Sequence, residues 1–357
     1  MRISLALLLT ISLAACGDDD DDDDVVVPDA ALGFDAASIP DAAPIGPDGG
    51  PMLPETLPDP LPNGPLDLTV VTFNTGLIQA VKGAAERLPL IVTALRNTNA
   101  DVLCLQEVYN EYESPYGMAE ALAAEYPYSY WDPVGETAFK NGLLILSKYP
   151  LYRGRTLYFV ANNTPPFPDR AAIAAWVVHT DWAVPVICTH LQAGLAGTED
   201  PAIRLAEVGE IDAWAQAEGY LTVRSLLLGD FNAGPDPDPT DFECDDPATT
   251  PAVELCEAAD LVAYNAVLAD GWTDPFPADS PCTSCRAQYI ALELIKGLFA
   301  DEPDQRIDHC FYRNLGVDTV FNGGDVVLDE VQSIPYMSET LLTLSDHYGV
   351  ECIFGIE

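Results

Sequence analysis

The sequence predicts an α/β fold in which two sheets form a layered core with helices on its flanks. Three observations carry this. Short apolar runs of strand length recur from residue 68 onward, amphipathic helical stretches fall between them in both halves, and strand-like runs return near the C-terminus.

The elements follow in order. Residues 68–73 (Leu-Thr-Val-Val-Thr-Phe) are rich in β-branched side chains and form a strand. Residues 84–97 place Leu88, Ile91, Val92 and Leu95 at helical spacing. A strand is expected at 101–106, a helix at 117–125, and strands at 142–147, 171–179 and 184–189. Residues 203–217 predict a helix with Ile203, Leu205, Val208, Ile211 and Trp214 turned inward. A buried strand is expected at 225–228, and further strands at 306–312, 317–321 and 347–354. Residues 233–305, rich in Pro, Asp and Cys, are expected to be irregular apart from an amphipathic stretch at 289–299. Such a stripe packs into a core more often than it touches a membrane.

The N-terminus reads as an export signal. Arg2 precedes an apolar run over 3–13, too short to cross a bilayer. Leu13-Ala14-Ala15-Cys16 resembles the end of a bacterial lipoprotein signal, which implies removal of residues 1–15 and acylation of Cys16. Residues 16–65 begin Cys16-Gly17, run through seven consecutive aspartates at 18–24, and continue in Pro, Ala, Gly and Asp. They cannot bury enough apolar surface to order themselves and are expected to be a disordered spacer. Calcium binding by the Asp run is the alternative to plain solvated repulsion. The folded domain is then expected at 66–357, monomeric, exported and tethered at an outer membrane or cell surface.

The net charge is −42. With the spacer set aside, the folded part holds fourteen bases against forty-four acids and no basic cluster. Affinity for nucleic acid rests mainly on Lys and Arg neutralising phosphates, so this balance disfavours that partner. Eight cysteines remain besides Cys16. Pairing is expected among Cys244, Cys256, Cys282 and Cys285, in a segment outside the strands. Cys104 and Cys188, inside apolar strand runs, are expected to be core thiols. Cys310 and Cys352 bridge if their strands are neighbours.

Polar residues cluster at strand ends. Asn74 follows Val70-Val71-Thr72-Phe73, Glu107 follows Leu105-Gln106, His190 follows Cys188-Thr189, Asp230 and Asn232 follow Leu228-Gly229, and Asp346-His347 precede the last strand. Rigid strands delivering acids, amides and imidazoles to one rim build a fixed active site. Each residue alone has a plain structural use, a turn or a buried histidine; five coincidences at five strand ends point to chemistry.

Thr72-Phe73-Asn74, Leu105-Gln106-Glu107, Thr189-His190-Leu191, Gly229-Asp230-Phe231-Asn232, Arg306-Ile307-Asp308 and Ser345-Asp346-His347 resemble, in order, the motifs of the endonuclease/exonuclease/phosphatase superfamily. The resemblance implies a four-layered α/β sandwich that hydrolyses phosphate esters with a divalent cation, Mg²⁺ above Mn²⁺ or Ca²⁺. It implies Glu107, the amide oxygen of Asn74 and Asp346 at the metal, with Asp230 and Asn232 facing the phosphate. His347 is the candidate general base oriented by Asp308, and His190 the stabiliser or general acid; Asp230 competes with His347 for the water's proton. His179 and His309 are expected to stand aside. The longer string Thr189-His190-Leu191-Gln192-Ala193 resembles bacterial sphingomyelinases, so a phospholipid phosphodiesterase is the leading reading. A deoxyribonuclease-like endonuclease, a phosphate monoesterase and a non-catalytic binding lipoprotein are the alternatives.

Overall fold

The computed structural model describes residues 51–78, 81–109, 114–132, 141–161, 169–194, 200–235, 253–277, 280–285, 292, 304–316 and 319–355. The expected export signal, Cys16 and the aspartate run lie outside the described residues, as does Cys244.

The chain lays down β1 (Leu68–Leu77), α1 (Ala84–Asn97), β2 (Val102–Val108), α2 (Pro115–Ala121), β3 (Tyr128–Tyr130), β4 (Leu144–Ser147), β5 (Leu151–Tyr158), β6 (Ala171–Val178) and β7 (Ala183–His190). It continues with α3 (Asp200–Ala217), β8 (Ser225–Asp230), α4 (Val253–Ala269), β9 (Asp308–Arg313), β10 (Val320–Val327), β11 (Ile334–Tyr336), β12 (Glu339–Leu341) and β13 (Gly349–Gly355). A six-stranded sheet has the order β10-β13-β1-β2-β4-β3, and a five-stranded sheet the order β5-β6-β7-β8-β9. β1 runs parallel to β2, and β7 parallel to β8, while the other pairs in both sheets are antiparallel.

Period-two alternation divides each strand between two environments. In β1, Leu68 and Val70 join the apolar layer between the sheets, whereas Val71 and Phe73 face the opposite way. Ile91 and Leu95 of α1 and Met118 of α2 cover that outer face. On the other sheet, Val208, Ile211 and Ala215 of α3 and Ala263 and Val267 of α4 cover Ala172, Ala174, Ile187 and Leu227. The result is a four-layered α/β sandwich. Each fully buried Val, Leu or Ile in these layers contributes about 1.5–3 kcal/mol of transfer free energy.

Four expectations need correction. Residues 233–305 include α4, whose Ala- and Leu-rich sequence lacks a clean polar stripe and so hides its helical period. In α3 the buried residues are Arg204, Glu207, Val208, Ile211 and Ala215, while Leu205 is 41% exposed; the pattern is displaced because two charged residues carry buried hydrogen bonds. Residues 51–65, expected in the spacer, lie against the fold. Leu53 packs on the inter-sheet core, Leu57 and Leu61 on the outer one, and Glu55 forms a two-point ion pair with Arg155, 2.7 and 3.0 Å. Cys104 and Cys188 are not free thiols. They form a disulfide that joins β2 to β7 across the two sheets.

Cys310 also pairs with Cys352, in the other sheet, so these strands are neighbours across the core and not within a sheet. Cys282 pairs with Cys285, within the expected set. No helix among the described residues is long and apolar enough to cross a membrane.

Candidate active site

The strand directions explain why distant residues meet. Parallel β1 and β2 bring Asn74 and Glu107 to one rim, and parallel β7 and β8 bring His190 and Asp230 to the same rim from the second sheet. β9 runs antiparallel to β8 and starts there, which sets Asp308 beside Asp230 in register. β13 runs antiparallel to β1 and also starts there, just after Asp346 and His347. A two-stranded parallel start and an antiparallel return thus deliver both halves of the site.

Asp230, 1% exposed, is the hub. Its Oδ2 accepts from Asn74 Nδ2 at 2.9 Å, with His190 Nε2 at 3.3 Å and His347 Nε2 at 3.9 Å. Its Oδ1 accepts the Asn232 backbone N–H at 2.8 Å. Asp308 Oδ2 accepts from His347 Nδ1 at 2.8 Å, which leaves Nε2 of that ring facing the site. Burial and the neighbouring Asp308 charge raise the Asp230 pKa to about 6. Burial disfavours a charged His347, but the carboxylates of Asp308, Asp230 and Asp346 outweigh it and hold its pKa well above the usual value. Burial, reinforced by the positive charges of Arg170 and His347, drives the His190 pKa well down, so that ring is neutral.

Glu107 adopts the left-handed backbone region, φ 56°. For a residue with a Cβ this costs about 1–2 kcal/mol and takes the side chain out of the strand's alternation. Burial and the charge of Asp346 raise its pKa to about 7. Gly76, φ 56°, is required beside it, since a Cβ there would come within 2.5 Å of Asp346 Oδ1. Ser345 Oγ reaches the Asn74 carbonyl at 2.8 Å and Asp346 Oδ1 at 3.0 Å, tying the two segments together.

All eight residues expected at the site stand at this rim, with two differences in detail. The Asn74 amide oxygen accepts the Gly76 N–H at 3.0 Å, and it is the Nδ2 end that faces Asp230. Asn232 spends its Nδ2 on the Leu191 carbonyl at 3.0 Å and so locks the β8 exit to the β7 exit. His179 stacks on Trp182 at the far end of β7. His309 is buried one layer below the site. Its Nδ1 accepts from Arg306 Nη1 at 2.9 Å and its Nε2 donates to the Ala233 carbonyl at 2.9 Å, a neutral tautomer that pins the loop after Asn232.

Several supporting residues carry no motif. Arg87 of α1 is fully buried and donates to the carbonyls of Lys82, Thr75, Leu344 and Gly76, clamping the segments that carry Asn74 and Asp346. Glu207, fully buried on α3, accepts the Gln192 N–H at 2.8 Å, and Arg204 donates to the Gln192 and Gly194 carbonyls. Together they fix the chain leaving His190. Burial raises the Glu207 pKa to about 8. Thr283 Oγ1 accepts the N–H groups of Ile307 and Asp308, and its carbonyl accepts the Tyr348 N–H. The short loop closed by Cys282–Cys285 therefore stitches Asp308 to His347. Arg170, one residue before β6 and 8% exposed, has Nε and Nη1 buried without hydrogen-bond partners. Its charge acts on Glu107, His190 and Glu207. A buried arginine in that position has donors to offer a phosphate.

The donor chemistry fits a hard divalent cation. Glu107 and Asp346 are mutually repelling carboxylates, neither in an ion pair with Lys or Arg within 4.0 Å among the described residues. Ligand atoms of Asp230, Asp308 and His347 also lie within 4.8 Å of one another. Of these, Asp308 and His347 are already joined by their own hydrogen bond, which leaves Glu107 with Asp346 as the set most in need of positive charge.

Two carboxylate groups, two histidines and a divalent-cation donor set on the rim of a four-layered sandwich define a metal-dependent phosphoester hydrolase. The model of the Endonuclease/Exonuclease/phosphatase family matches residues 71–347, and the chain belongs to that family. Sphingomyelinase C from Streptomyces griseocarneus is similar in structure, with 24% identity and a TM-score of 0.59 over 81% of this chain and 99% of the other. A beta toxin mutant from Staphylococcus aureus with bound magnesium ions shows 17% identity and a TM-score of 0.58 over 81% and 99%. TDP2 from C. elegans shows 16% identity and a TM-score of 0.55 over 83% and 76%. Comparison with curated proteins finds no match.

Proposed function

We propose that the protein is a phospholipid phosphodiesterase of the phospholipase C type, acting on a sphingomyelin-like diester. The observation that carries the choice of substrate is the apolar edge beside the site. The β11–β12 hairpin turns at Met337, 92% exposed, and is flanked by Val331 and Leu342, 80% and 51% exposed. Its inner residues Ile334 and Leu341 pack with Val81 and Leu292, so it is anchored, while Met337 and Leu342 stand out to solvent beside the exposed polar Ser338, Glu339 and Thr340. Asp346 and His347 follow within a few residues. A catalytic rim bordered by exposed apolar side chains suits a substrate held in a lipid surface. Leu292, from the amphipathic stretch at 289–299, is buried with this hairpin, as the core reading of that stretch expected; the rest of the stretch lies outside the described residues.

The site supplies the chemistry in named parts. A divalent cation, Mg²⁺ in this reading, would be held by Glu107 and Asp346 with Asn74 beside them, and supplies charge neutralisation and phosphoryl polarisation when bound. Arg170 binds a non-bridging phosphate oxygen. The neutral form of His347, the minor one until positive charge offsets the surrounding carboxylates, takes the proton of the attacking water at Nε2, and Asp308 fixes the Nδ1–H tautomer and stabilises the imidazolium. Asp230 holds Asn74 in place, and neutral His190 offers its single N–H to the phosphate. The net charge of −42 works against a polyanionic substrate. Structural likeness to a sphingomyelinase C and to a beta toxin, and the string from Thr189 to Ala193, support the same choice. The signal ending at Cys16 supports export and lipid tethering, which would keep the site near a membrane.

The test is a side-by-side assay of the purified protein with Mg²⁺ on sphingomyelin vesicles, phosphatidylcholine vesicles and plasmid DNA. Release of phosphocholine from sphingomyelin is expected. Plasmid nicking without phosphocholine release would overturn the choice in favour of a nuclease. Cys16→Ser should move the protein to the soluble fraction, and continued membrane retention would contradict the tether.

A further inference from the structure

A cavity of about 510 Å³ lies at the end of the five-stranded sheet opposite the catalytic rim. Its walls come from residues 61–65, from Ala183 at the start of β7, from residues 222–224 just before β8, and from residues 314–316 just after β9. β8 separates it from Asp230 by six residues, roughly 15–20 Å. This size falls within the range of about 300–1,000 Å³ typical of small-molecule sites.

Arg224 is the charged residue of the described lining. It is 8% exposed. One amino group, Nη1, donates to the Gly64 carbonyl, and Nη2 is buried with no hydrogen-bond partner. Several other cations of this acid-rich chain reach carboxylates: Arg155 meets Glu55, Arg306 meets Asp274, and Lys148 meets Asp101, whereas Arg170 shares with Arg224 the lack of a carboxylate within 4.0 Å among the described residues. Arg224 has no ion pair among the described residues. Burial accordingly pulls its pKa down with no opposing charge. An uncompensated buried guanidinium is destabilising unless an anion joins it. The surrounding walls are mixed: Leu61, Trp176, Val223 and Leu315 supply apolar surface, while Asn63, Thr222, Asn314 and Thr319 add hydrogen-bonding groups.

We infer that this cavity is a second binding site, for a small oxyanion carried on an apolar body, of which a medium-chain or aromatic carboxylate is the simplest form. The anionic head pairs with Arg224 and the body lies against Trp176 and Leu315. Inorganic phosphate lacks the apolar part, and a neutral alcohol of the same length lacks the charge, so both bind weakly. Occupancy would also bind residues 61–65 more firmly to the sheet, because the same arginine already holds Gly64.

The experiment measures binding of octanoate, benzoate, octanol and inorganic phosphate to the full-length protein by titration calorimetry, with the melting temperature as a second readout. Saturable octanoate or benzoate binding with a matching rise in melting temperature is expected, at least tenfold tighter than octanol or phosphate. Arg224→Gln should weaken it at least tenfold. Because that change also loosens Gly64, Thr222→Phe, which fills the cavity and leaves Arg224 in place, should do the same. His347→Ala should bind as the parent does, separating this cavity from the catalytic rim. Absence of carboxylate binding to the parent, equal binding in Arg224→Gln and Thr222→Phe, or loss of binding in His347→Ala would each overturn the assignment and leave Arg224 as a clamp on Gly64.

Discussion

Asp308 Oδ2 accepts from His347 Nδ1 at 2.8 Å, although Asp308 starts β9 of one sheet and His347 stands two residues before β13 of the other. This bond decides which nitrogen of His347 faces the substrate. Asp308→Asn keeps the shape but offers an NH₂ or a neutral oxygen, so the tautomer is no longer fixed. The expected loss in kcat is about 10²–10⁴-fold with KM little changed, by analogy with the loss seen when the orienting carboxylate of a catalytic histidine is neutralised. Steady-state kinetics on a phosphodiester check it.

The carboxylates make the protein sensitive to pH and metal together. Glu107 rises from 4.5 to about 7 and Asp230 from 3.8 to about 6 in the folded state. Folding therefore takes up protons between those values, and the cation-free protein loses this stability as pH rises through about 6–7. A divalent cation binds the ionised carboxylates, so Mg²⁺ should raise the melting temperature more at pH 8 than at pH 5. The acidic limb of the activity profile should also shift to lower pH as Mg²⁺ increases. Thermal scans and pH–rate profiles with EDTA or graded Mg²⁺ check both.

Arg87 touches no substrate atom in this account yet holds the carbonyls of Thr75, Gly76 and Leu344. Arg87→Ala strands those buried acceptors and should cost on the order of 3–5 kcal/mol of stability. Activity should fall with it. Arg87→Lys should recover only part, because a single ammonium cannot reach the carbonyls that the guanidinium fork spans. Denaturant unfolding alongside kinetics separates the two effects.

The Cys104–Cys188 disulfide joins residues 84 apart and ties β2 to β7 two and three residues short of His190 and Glu107. Closing a loop of that length stabilises by roughly 4–5 kcal/mol in the chain-entropy view. Replacing both cysteines by Ala should lower the melting temperature by about 10 °C. A change of under about 2 °C would show that sheet packing alone fixes this spacing.

The rim was legible because a polar residue placed directly after an apolar run marks a strand end, and Asn74, Glu107, His190 and Asp230 each stand that way. The layered two-sheet core followed from the same runs, though not the order of strands within each sheet. What the sequence hid were partners set by the third dimension. Cys104 and Cys188 look like core thiols until β2 and β7 are known to face each other. Arg87, Arg204 and Glu207 sit on helices where charge ordinarily signals a solvated face, and their role appears only with the carbonyls and N–H groups they meet. Arg170 carries no motif of its own, since one arginine before an apolar strand is unremarkable by itself. The β11–β12 hairpin was missed because its strands are three residues each, too short for an alternation to register.

The most direct measurement compares the parent protein with His347→Ala on sphingomyelin vesicles in Mg²⁺, with circular dichroism confirming that both are folded. Phosphocholine release by the parent is expected, with a loss on the order of 10³-fold or more in the variant, as for removal of a catalytic base. Equal turnover by the folded variant would contradict the assignment of this rim as the hydrolytic site.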